Sequence, residues 1–453
     1  MRTIGQHRAA VETLVGPVLS GLATAPDGQE ARHVDDLATD PSGGRASRLL
    51  ARAVVAPGPL PAFENSQMDG FAVHTADAGA TVLVVAPVPA GAVPAALERG
   101  TAAPIMTGAR IPAGADAVFP VERTDVGAFP AALTLESVRV PTDLRPGTFV
   151  RSVGSDLAAG AVIADAGSPV TPALLGALAA AGVDTVHLVR RPRVLVVSTG
   201  SELVSTRSEL VSTRSELVST GSGSVSTASE PVSTGSGRVS AGAALDDGAG
   251  AGIRDANGVA LRAALAEVAV ESRVVQVPDD TGSFVDALAQ AVGDWADLVL
   301  TTGGISAGAY EVVRQALEPL GLTVTPVAMQ PGGPQALGTI RLAGRPVPVL
   351  SFPGNPVSAL VSFEVFLRPM LAAAVGLPAD RPTSTLPAAG HADSPPGKHQ
   401  VRRGRVEDGR VHFVGGPSSH LLAHYAAATH LVHVPVGTAT VAPGDPLTVW
   451  SLR

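Results

Sequence analysis

Three short apolar runs, each followed directly by a polar or glycine-bearing loop, constrain the fold of this chain most strongly. They occupy residues 193–198, 298–300 and 347–352. Runs of this length are typical of strands buried on both faces of a sheet. After the second run, apolar residues recur at helical spacing as far as Gly321, which offers a helix stop. Strand, loop and helix in this repeated order predict a doubly wound α/β sheet.

The loops behind the second and third runs combine glycine with hydroxyl-bearing residues. In open α/β sheets, ligands bind beyond the carboxyl ends of the strands, where backbone N–H groups without a helical partner can hold an anion. Gly303 and Gly304 would let a ligand approach the backbone closely. In the next loop, Pro356 suits the first helical position, with Asn355 as its N-cap. The plain alternative is a set of tight turns without a ligand, but three such loops favour one composite pocket.

The composition excludes several classes of protein. With 45% hydrophobic residues the chain is not largely disordered, and 453 residues suffice for several domains. The absence of cysteine excludes disulfides, thiolate metal sites and a cysteine nucleophile. The formal net charge of −8 argues against nucleic acid as a partner. We find no apolar run of membrane-spanning length and no signal-peptide core, so we expect no membrane association and a cytoplasmic location.

Changes in composition predict a mostly helical region, a small β domain, an α/β domain and a C-terminal β barrel or sandwich. They occupy, in that order, 1–58, 59–150, 190–380 and 381–453, and 151–189 lies between the second and the third. A proline-rich linker is expected at 378–396. Within the α/β domain, the predicted strands are 193–198, 273–277, 297–301 and 347–352, and the predicted helices are 256–269, 282–293, 309–320 and 357–371.

A heptapeptide repeat interrupts the α/β domain. From Val197 the chain reads Val-Ser-Thr-Gly-Ser-Glu-Leu and repeats this pattern every seven residues, with degenerate copies further on. A heptad suggests a coiled coil, but Ser, Thr, Gly and Pro are weak helix formers. We therefore predict that residues 204–252 are a low-complexity, mostly disordered insertion. Only the first copy would end a strand.

Five motifs occur in series along the chain. They are Phe63-Glu-Asn-Ser-Gln-Met-Asp-Gly-Phe-Ala-Val, Ile105-Met-Thr-Gly-Ala, Ser198-Thr-Gly-Ser-Glu-Leu, Thr302-Gly-Gly-Ile-Ser-Ala-Gly and Pro353-Gly-Asn-Pro-Val-Ser. Together they resemble the MoeA family of molybdopterin molybdenumtransferases, to which the gephyrin E domain belongs. The resemblance covers the whole chain except the repeat.

This resemblance implies an L-shaped, four-domain homodimer whose site lies between the α/β domain of one subunit and the β domain of the other. It also implies that 1–58 and 151–189 form one domain, into which the β domain 59–150 is inserted. It implies transfer of molybdenum from molybdate to adenylylated molybdopterin, with release of AMP, in a step that depends on a divalent metal such as Mg²⁺. A MogA-like adenylyltransferase is a candidate partner of such an enzyme.

Matched position by position, the resemblance also implies the residues of the site. Asp69, Asp156, Glu202 and Glu311 would be catalytic, and the first three would hold Mg²⁺, an ion that takes a few carboxylates together with phosphate oxygens. The expected pocket residues are Thr302, Gly303, Gly304, Ser306, Gly308, Pro353, Gly354, Asn355, Pro356 and Ser358. Considered without the resemblance, Asp69-Gly70 suits a hairpin turn, and Asp156 lies in an ordinary turn sequence.

The chain departs from the family pattern at two basic positions. Gln330 and Gly333 stand where the family has lysines, which weakens electrostatic stabilisation of phosphate or molybdate. Arg151 and Arg314, close to the motifs in sequence, are the candidate substitutes, although Arg is a planar donor rather than a compact charge. The leading hypothesis is an active molybdenum insertase. The alternatives are a non-catalytic molybdopterin-binding paralog or scaffold, and the related adenylyltransferase step, which the added β domain and tail disfavour.

His420 and His424 have the i, i+4 spacing of a metal-binding pair, and two more histidines follow. No carboxylate or cysteine completes a zinc set beside them. The preferred interpretation is a solvated helix face.

Overall fold

The computed structural model describes residues 1–39, 48–199, 203–204, 253–277, 280–306 and 311–452, and of 203–204 it describes the backbone alone. The chain divides into two compact units. The N-terminal unit is Ala23–Arg190, and the large unit combines Met1–Leu22 with Arg191–Arg453. The predicted insertion lies, except for Val204, outside the described residues. The four-domain partition stays a prediction.

The chain opens with helix α1, Ile4–Thr24. In the N-terminal unit, the helices are α2 Val34–Thr39, α3 Phe129–Ala132 and α4 Pro172–Ala180. The strands are β1 Gln29–His33, β2 Val54–Val55, β3 Asn65–Ser66, β4 Gly70–Val73, β5 Thr81–Val84, β6 Thr101–Ile105, β7 Ala117–Pro120, β8 Ser137–Arg139, β9 Val150–Arg151, β10 Val162–Ala164 and β11 Thr185–Val189. Beyond α2, the apolar residues near Leu50 form short strand pairings rather than a further helix.

A five-stranded sheet of order β7-β4-β6-β5-β8 is the centre of the N-terminal unit. Gly70 begins its β4 strand and is paired on both sides, with Ile105 in β6 and Pro120 in β7. A Cβ atom at Gly70 would lie 2.0 Å from the carbonyl oxygen of Phe119, so the strands can approach only because this residue is glycine. The hairpin-turn interpretation of Asp69-Gly70 is therefore wrong.

In the large unit, the helices are α5 Ala256–Glu267, α6 Thr281–Val292, α7 Val312–Leu317, α8 Pro356–Ser362, α9 Arg368–Ala374 and α10 Leu422–Ala426. The first eight strands are β12 Arg193–Thr199, β13 Leu203–Val204, β14 Ile253–Arg254, β15 Glu271–Val277, β16 Leu298–Thr302, β17 Thr323–Pro326, β18 Met329–Gln330 and β19 Pro334–Leu342. The remaining eight are β20 Arg345–Phe352, β21 Thr383–Pro387, β22 Ala392–Asp393, β23 His399–Glu407, β24 Arg410–Phe413, β25 His430–Val434, β26 Thr440–Val441 and β27 Pro446–Ser451.

The first sheet of this unit has the order β15-β12-β16-β20-β19-β17. Its first four strands are parallel, and each carries the apolar run that the sequence predicted, so the doubly wound α/β fold is confirmed. The antiparallel strands β19 and β17 were not predicted. Pro334 and Gly338 interrupt the first of them in sequence, and proline or glycine within a run weakens the strand signal.

The second sheet of the large unit has the order β18-β23-β25-β27-β21, with β24 beside β23. It confirms the predicted C-terminal β fold, but the expected linker at 378–396 is wrong, because this stretch supplies β21 and β22. β21 is an edge strand, and an edge tolerates prolines whose missing N–H faces away from the ladder. Strand β18 reaches this sheet from between β17 and β19, so the two sheets of the unit are joined at Gln330.

Residues 356–374 form one continuous helix, with a π-helical segment, Phe363–Leu367, between α8 and α9. Contrary to our expectation, this helix is long and apolar enough to cross a membrane, but 72% of it is buried, as in the core helices of globular proteins. Pro369 cannot donate a backbone hydrogen bond to the carbonyl of Val365. That carbonyl accepts instead from Arg8 Nε of α1, at 3.1 Å. The proline thus leaves a carbonyl available for one of the contacts between this helix and α1.

Candidate active site

A cavity of about 600 Å³ lies in the large unit, where β16 and β20 end. Eight of the expected pocket and catalytic residues line it, namely Gly303, Gly304, Ser306, Glu311, Pro353, Gly354, Asn355 and Ser358. Thr302 is buried at the end of β16, and Pro356 is the first residue of α8, so both position the wall without lining it. Glu202 and Gly308 lie outside the described residues. The two predicted loops therefore do form one concave surface.

The glycines of this wall serve the packing of the loops on each other. Gly303 has φ +86° and donates its N–H to Phe352 O at 3.0 Å, so this N–H is not available to an anion. A Cβ atom at Gly354 would lie 3.2 Å from the Cα of Gly303. Gly304 has φ +65°, and a Cβ atom there would lie 2.8 Å from Val313 of α7. Gly303 and Gly304 both line the cavity, and their lack of a side chain also admits neighbouring backbone and α7. The expected approach of a ligand to them stays a prediction.

Helix α8 begins at the cavity as predicted, with Asn355 in the N-cap position and Pro356 first in the helix. The Asn355 side chain makes no capping hydrogen bond. Instead, the N–H of Val357 donates to the carbonyl of Ser419 at 3.2 Å. A C-terminal loop, residues 414–419, thus caps the helix in place of the side chain.

This C-terminal loop supplies Pro417, Ser418 and Ser419 to the cavity wall, and sequence reasoning missed it. The loop is held by Arg403, which is 1% exposed and donates from Nη1 to Ser418 O at 3.1 Å and from Nη2 to Gly416 O. Burial lowers the pKa of this guanidinium. No carboxylate among the described residues pairs with it, so its charge is met by carbonyl dipoles alone. Two consecutive arginines, Arg402 and Arg403, within one strand were the available signal.

The floor of the cavity is formed by Gln330, Pro331, Gly332 and Pro334. Gln335, 1% exposed, holds this floor: its Nε2 donates to Gly332 O at 2.8 Å and to Ser362 Oγ at 2.7 Å. The floor is thereby tied to the helix that begins on the opposite wall. Gln335 was not predicted, because its role depends on a partner 27 residues away.

The described lining of the cavity carries one ionisable side chain, Glu311, whose Oε1 accepts a hydrogen bond from Ser306 Oγ. Neither expected substitute cation is among the described residues that line it. Arg314 pairs with Glu318 at 3.0 Å on an exposed helix face. Arg151 belongs to the N-terminal unit, where it donates to Asn65 Oδ1 at 3.2 Å. For Arg314, closeness to the motifs in sequence therefore does not place the side chain in this cavity wall.

Asp69 and Asp156 belong to the N-terminal unit. Asp69 Oδ1 accepts both the N–H of Thr107, at 2.6 Å, and its hydroxyl, at 2.9 Å. Asp116 in the same unit accepts the same two groups of Thr75, but one on each oxygen, both at 2.7 Å. Asp69 is thus oriented through one oxygen, and its other oxygen makes no hydrogen bond within the described residues.

Asp156 is an exposed turn residue whose N–H donates to Leu60 O at 3.0 Å. Within the described ranges, no group of three or more His, Asp or Glu residues is arranged to hold a metal ion. His420 accordingly contacts Ser418, with Nδ1 2.9 Å from Oγ, and the interpretation of the His420 and His424 pair as a zinc site gains no support.

Comparisons with known proteins agree with this geometry. Two family models match: the MoeA N-terminal region (domain I and II) over residues 6–182, and a probable molybdopterin binding domain over residues 196–373. A molybdopterin molybdenumtransferase 2 of Mycobacterium tuberculosis is 39% identical over 423 residues, covering 89% of this chain and 92% of the relative. A molybdopterin molybdenumtransferase of Synechococcus elongatus is 32% identical, with coverage of 89% and 92%.

Solved structures agree at the level of the fold. Two crystal structures of a molybdopterin biosynthesis MoeA protein from Pyrococcus horikoshii align with TM-scores of 0.68 and 0.64. Their sequence identities are 24% and 20%, and each alignment covers 97% of this chain and at least 98% of the other.

Proposed function

This chain belongs to the MoeA family of molybdopterin molybdenumtransferases, and on that premise we propose that it transfers molybdenum from molybdate to adenylylated molybdopterin, with release of AMP. The observation that carries the proposal is the cavity in which both predicted loops meet the C-terminal loop. Its volume, about 600 Å³, lies within the range of small-molecule pockets.

The chemistry of the cavity suits oxyanions bound by neutral donors. Ser358 offers a hydroxyl group and Asn355 an amide, while Ser306 donates its hydroxyl to Glu311 and holds that carboxylate at the wall. We propose that these groups bind and orient molybdate and the pterin phosphate, holding both in one geometry so that transfer becomes effectively intramolecular.

Asp69, Asp156 and Glu202 are proposed to hold Mg²⁺. Asp69 fits this role because Thr107 fixes its carboxylate through one oxygen and leaves the other for a cation. Mg²⁺ needs only one or two protein carboxylates when phosphate oxygens and water complete its shell. When bound, the ion supplies charge stabilisation to the phosphate linkage that is cleaved. The proposal includes a cytoplasmic homodimer and, upstream, a MogA-like adenylyltransferase.

The test is cofactor assembly in vitro from adenylylated molybdopterin and molybdate, read as molybdenum incorporated per protein. We expect the purified chain to catalyse it, and Asp69→Asn and Ser358→Ala to reduce the rate at least tenfold. Asp116→Asn is the matched control for Asp69→Asn, since Asp116 accepts the same pair of threonine groups, and its rate should stay within about twofold.

A chain that binds molybdopterin but incorporates no molybdenum above the uncatalysed rate would sink the proposal. That outcome favours the non-catalytic paralog or scaffold instead. Equal losses in Asp69→Asn and Asp116→Asn would remove Asp69 from the metal site while leaving the activity itself established.

A further inference from the structure

The short parallel pairing of β18 with β23 places Gln330 opposite Gln400. Gln330 lines the floor of the cavity, and Gln400 is 1% exposed. Gln400 Nε2 donates to Gln330 Oε1 at 2.7 Å. The oxygen of Gln330 is thus occupied by a neighbour that comes from the C-terminal sheet.

A third residue fixes the direction of this hydrogen bond. Arg402, 6% exposed, points Nη1 at Gln400 Oε1 at 3.5 Å and donates from Nη2 to Gly415 O at 3.1 Å. A guanidinium can only donate, so Gln400 must turn its oxygen toward Arg402 and its amino group toward Gln330. The reverse orientation would set donor against donor. The amide assignment therefore follows from the chemistry of the chain of contacts.

The free end of this relay faces the cavity. Because Oε1 of Gln330 is engaged, the group it has left to offer is Nε2 with two N–H donors, and Nε2 makes no hydrogen bond within the described residues. A buried cation lies at the other end, and aligned amide dipoles in a low-dielectric interior strengthen one another. Gln330, although neutral, therefore presents hydrogen-bond donors to the cavity, whose described lining residues include no cation.

We propose that Gln330 binds an oxyanion in the cavity, and that Gln400 and Arg402 are positioning residues which keep its amino group, rather than its oxygen, turned toward that ligand. The ligand is a tetrahedral oxyanion: molybdate or the phosphate of the pterin. The proposal rests on the proposed function, which makes this cavity the substrate pocket. It gives the pocket a hydrogen-bond donor for oxyanions at a position where the family has a lysine.

The decisive variant is Gln400→Glu. Glutamate keeps the shape and pairs with Arg402, but it cannot donate to Gln330, so Gln330 must turn its amino group to Glu and present its oxygen to the oxyanion. We expect binding to weaken roughly tenfold to a hundredfold, the range for a hydrogen bond to a charged group. Gln330→Leu removes the donor and should weaken binding similarly. In the double variant, Gln400→Glu should add little, because there is no side chain left to turn.

Titration calorimetry with sodium molybdate and, separately, inorganic phosphate measures these affinities on the full chain. Loss confined to one oxyanion assigns Gln330 to that ligand. Gln290→Glu places the same charge on an exposed position of α6 and should change neither affinity. Thermal melting of each variant verifies that the fold is intact.

Equal oxyanion affinities of Gln400→Glu and the unaltered chain would overturn the proposal. So would an equally large loss of affinity when Gln400→Glu is added to Gln330→Leu, because the charge of the glutamate, and not the orientation of Gln330, would then cause the loss. Absence of any oxyanion binding by the unaltered chain also overturns it. Cofactor assembly is measured separately. If Gln400→Glu weakens oxyanion binding but the unaltered chain assembles no cofactor, the proposed function alone is wrong. If the unaltered chain assembles cofactor but Gln400→Glu binds oxyanions normally, the role of Gln330 alone is wrong.

Discussion

At the scale of single residues, the large unit buries two histidines in neutral form. His7 is 1% exposed, meets the edge of Phe366 at 4.7 Å, and neither ring nitrogen has a partner within the described residues. Burial, followed by Arg2, lowers its pKa from 6.5 to about 4. For His433, burial, followed by His399 and Arg8, lowers the pKa to about 3. The unfolded chain binds protons that the folded unit excludes, so stability is lost as the pH falls from about 6.5 toward these values.

We predict that the free energy of unfolding of the large unit falls by about 1.4 kcal/mol per pH unit for each of these histidines below pH 6. Urea unfolding at pH 7, 6 and 5, followed by tryptophan fluorescence, measures this, since both tryptophans belong to the large unit. His7→Leu should reduce the slope by one histidine's share. The exposed His412→Leu should not, and equal slopes in the two variants would contradict the assignment.

A second residue-scale prediction concerns the charge of the cavity. Gly333 lies between two floor residues, has no positive φ, and a Cβ atom there would meet only ordinary contacts at 3.5 Å. Gly333→Lys, alone or with Gln330→Lys, should therefore strengthen molybdate binding, because a cation is added to a wall that holds Glu311. Isothermal titration gives the affinity.

Gly333→Met controls for side-chain length, and Gly397→Lys adds the same charge at an exposed glycine with open space around it. If Gly333→Lys binds molybdate no more tightly than these two controls, lack of positive charge does not limit the site.

At the scale of elements, the two ends of the insertion are fastened together. Ser198 Oγ, at the end of β12, donates to Asp255 Oδ2 at 2.7 Å, while Asp255 Oδ1 caps α5 through the N–H of Gly258 at 2.8 Å. Just beyond, β13 and β14 pair in parallel. The two ends of the insertion are therefore held together by these contacts. The start of α5 is fixed by Asp255 and does not depend on how many residues the insertion has.

We predict that deleting 205–240, which spares both short strands and leaves the twelve-residue connection that a parallel pair needs, leaves activity unchanged. Stability should be unchanged or raised by up to ~2 kcal/mol, since shortening a loop lowers its closure entropy only logarithmically. Melting temperature and cofactor assembly are the measurements. Within the full chain, Glu202→Gln should lose activity and Glu209→Gln retain it. The opposite result would place the functional carboxylate in a later copy of the repeat.

At the scale of the whole molecule, the metal-site candidate Asp69 and the cavity belong to different compact units. The family resemblance implies that the two are combined across a subunit interface, so we predict a homodimer whose activity requires association. Light scattering at micromolar concentration should report twice the chain mass. Mixing inactive Asp69→Asn with inactive Ser358→Ala should restore part of the activity, because one of the two sites in a mixed dimer is intact. An active monomer would refute this prediction.

The amino-acid sequence by itself determined the α/β sheet, the loops that line its edge and the family. Buried parallel strands must be continuous apolar runs, and helices must repeat their apolar residues at their own period, so both are visible locally. Pro334 and Gly338 hid β19, and Pro387 of β21 together with the prolines on either side of this strand suggested a linker, because local composition does not reveal whether a strand lies at an edge.

Only the tertiary structure decided how the wall of the cavity is completed. Gln400 meets Gln330 through the pairing of β18 with β23, across seventy residues of chain, and Ser419 meets the start of α8 through Val357. Arg314, near the motifs in sequence, instead pairs with Glu318 on the surface. Periodicity in a sequence indicates which residues are buried, but the role of a buried polar side chain depends on the group with which it forms a hydrogen bond. The partner is chosen by long-range strand pairing, which no local pattern contains.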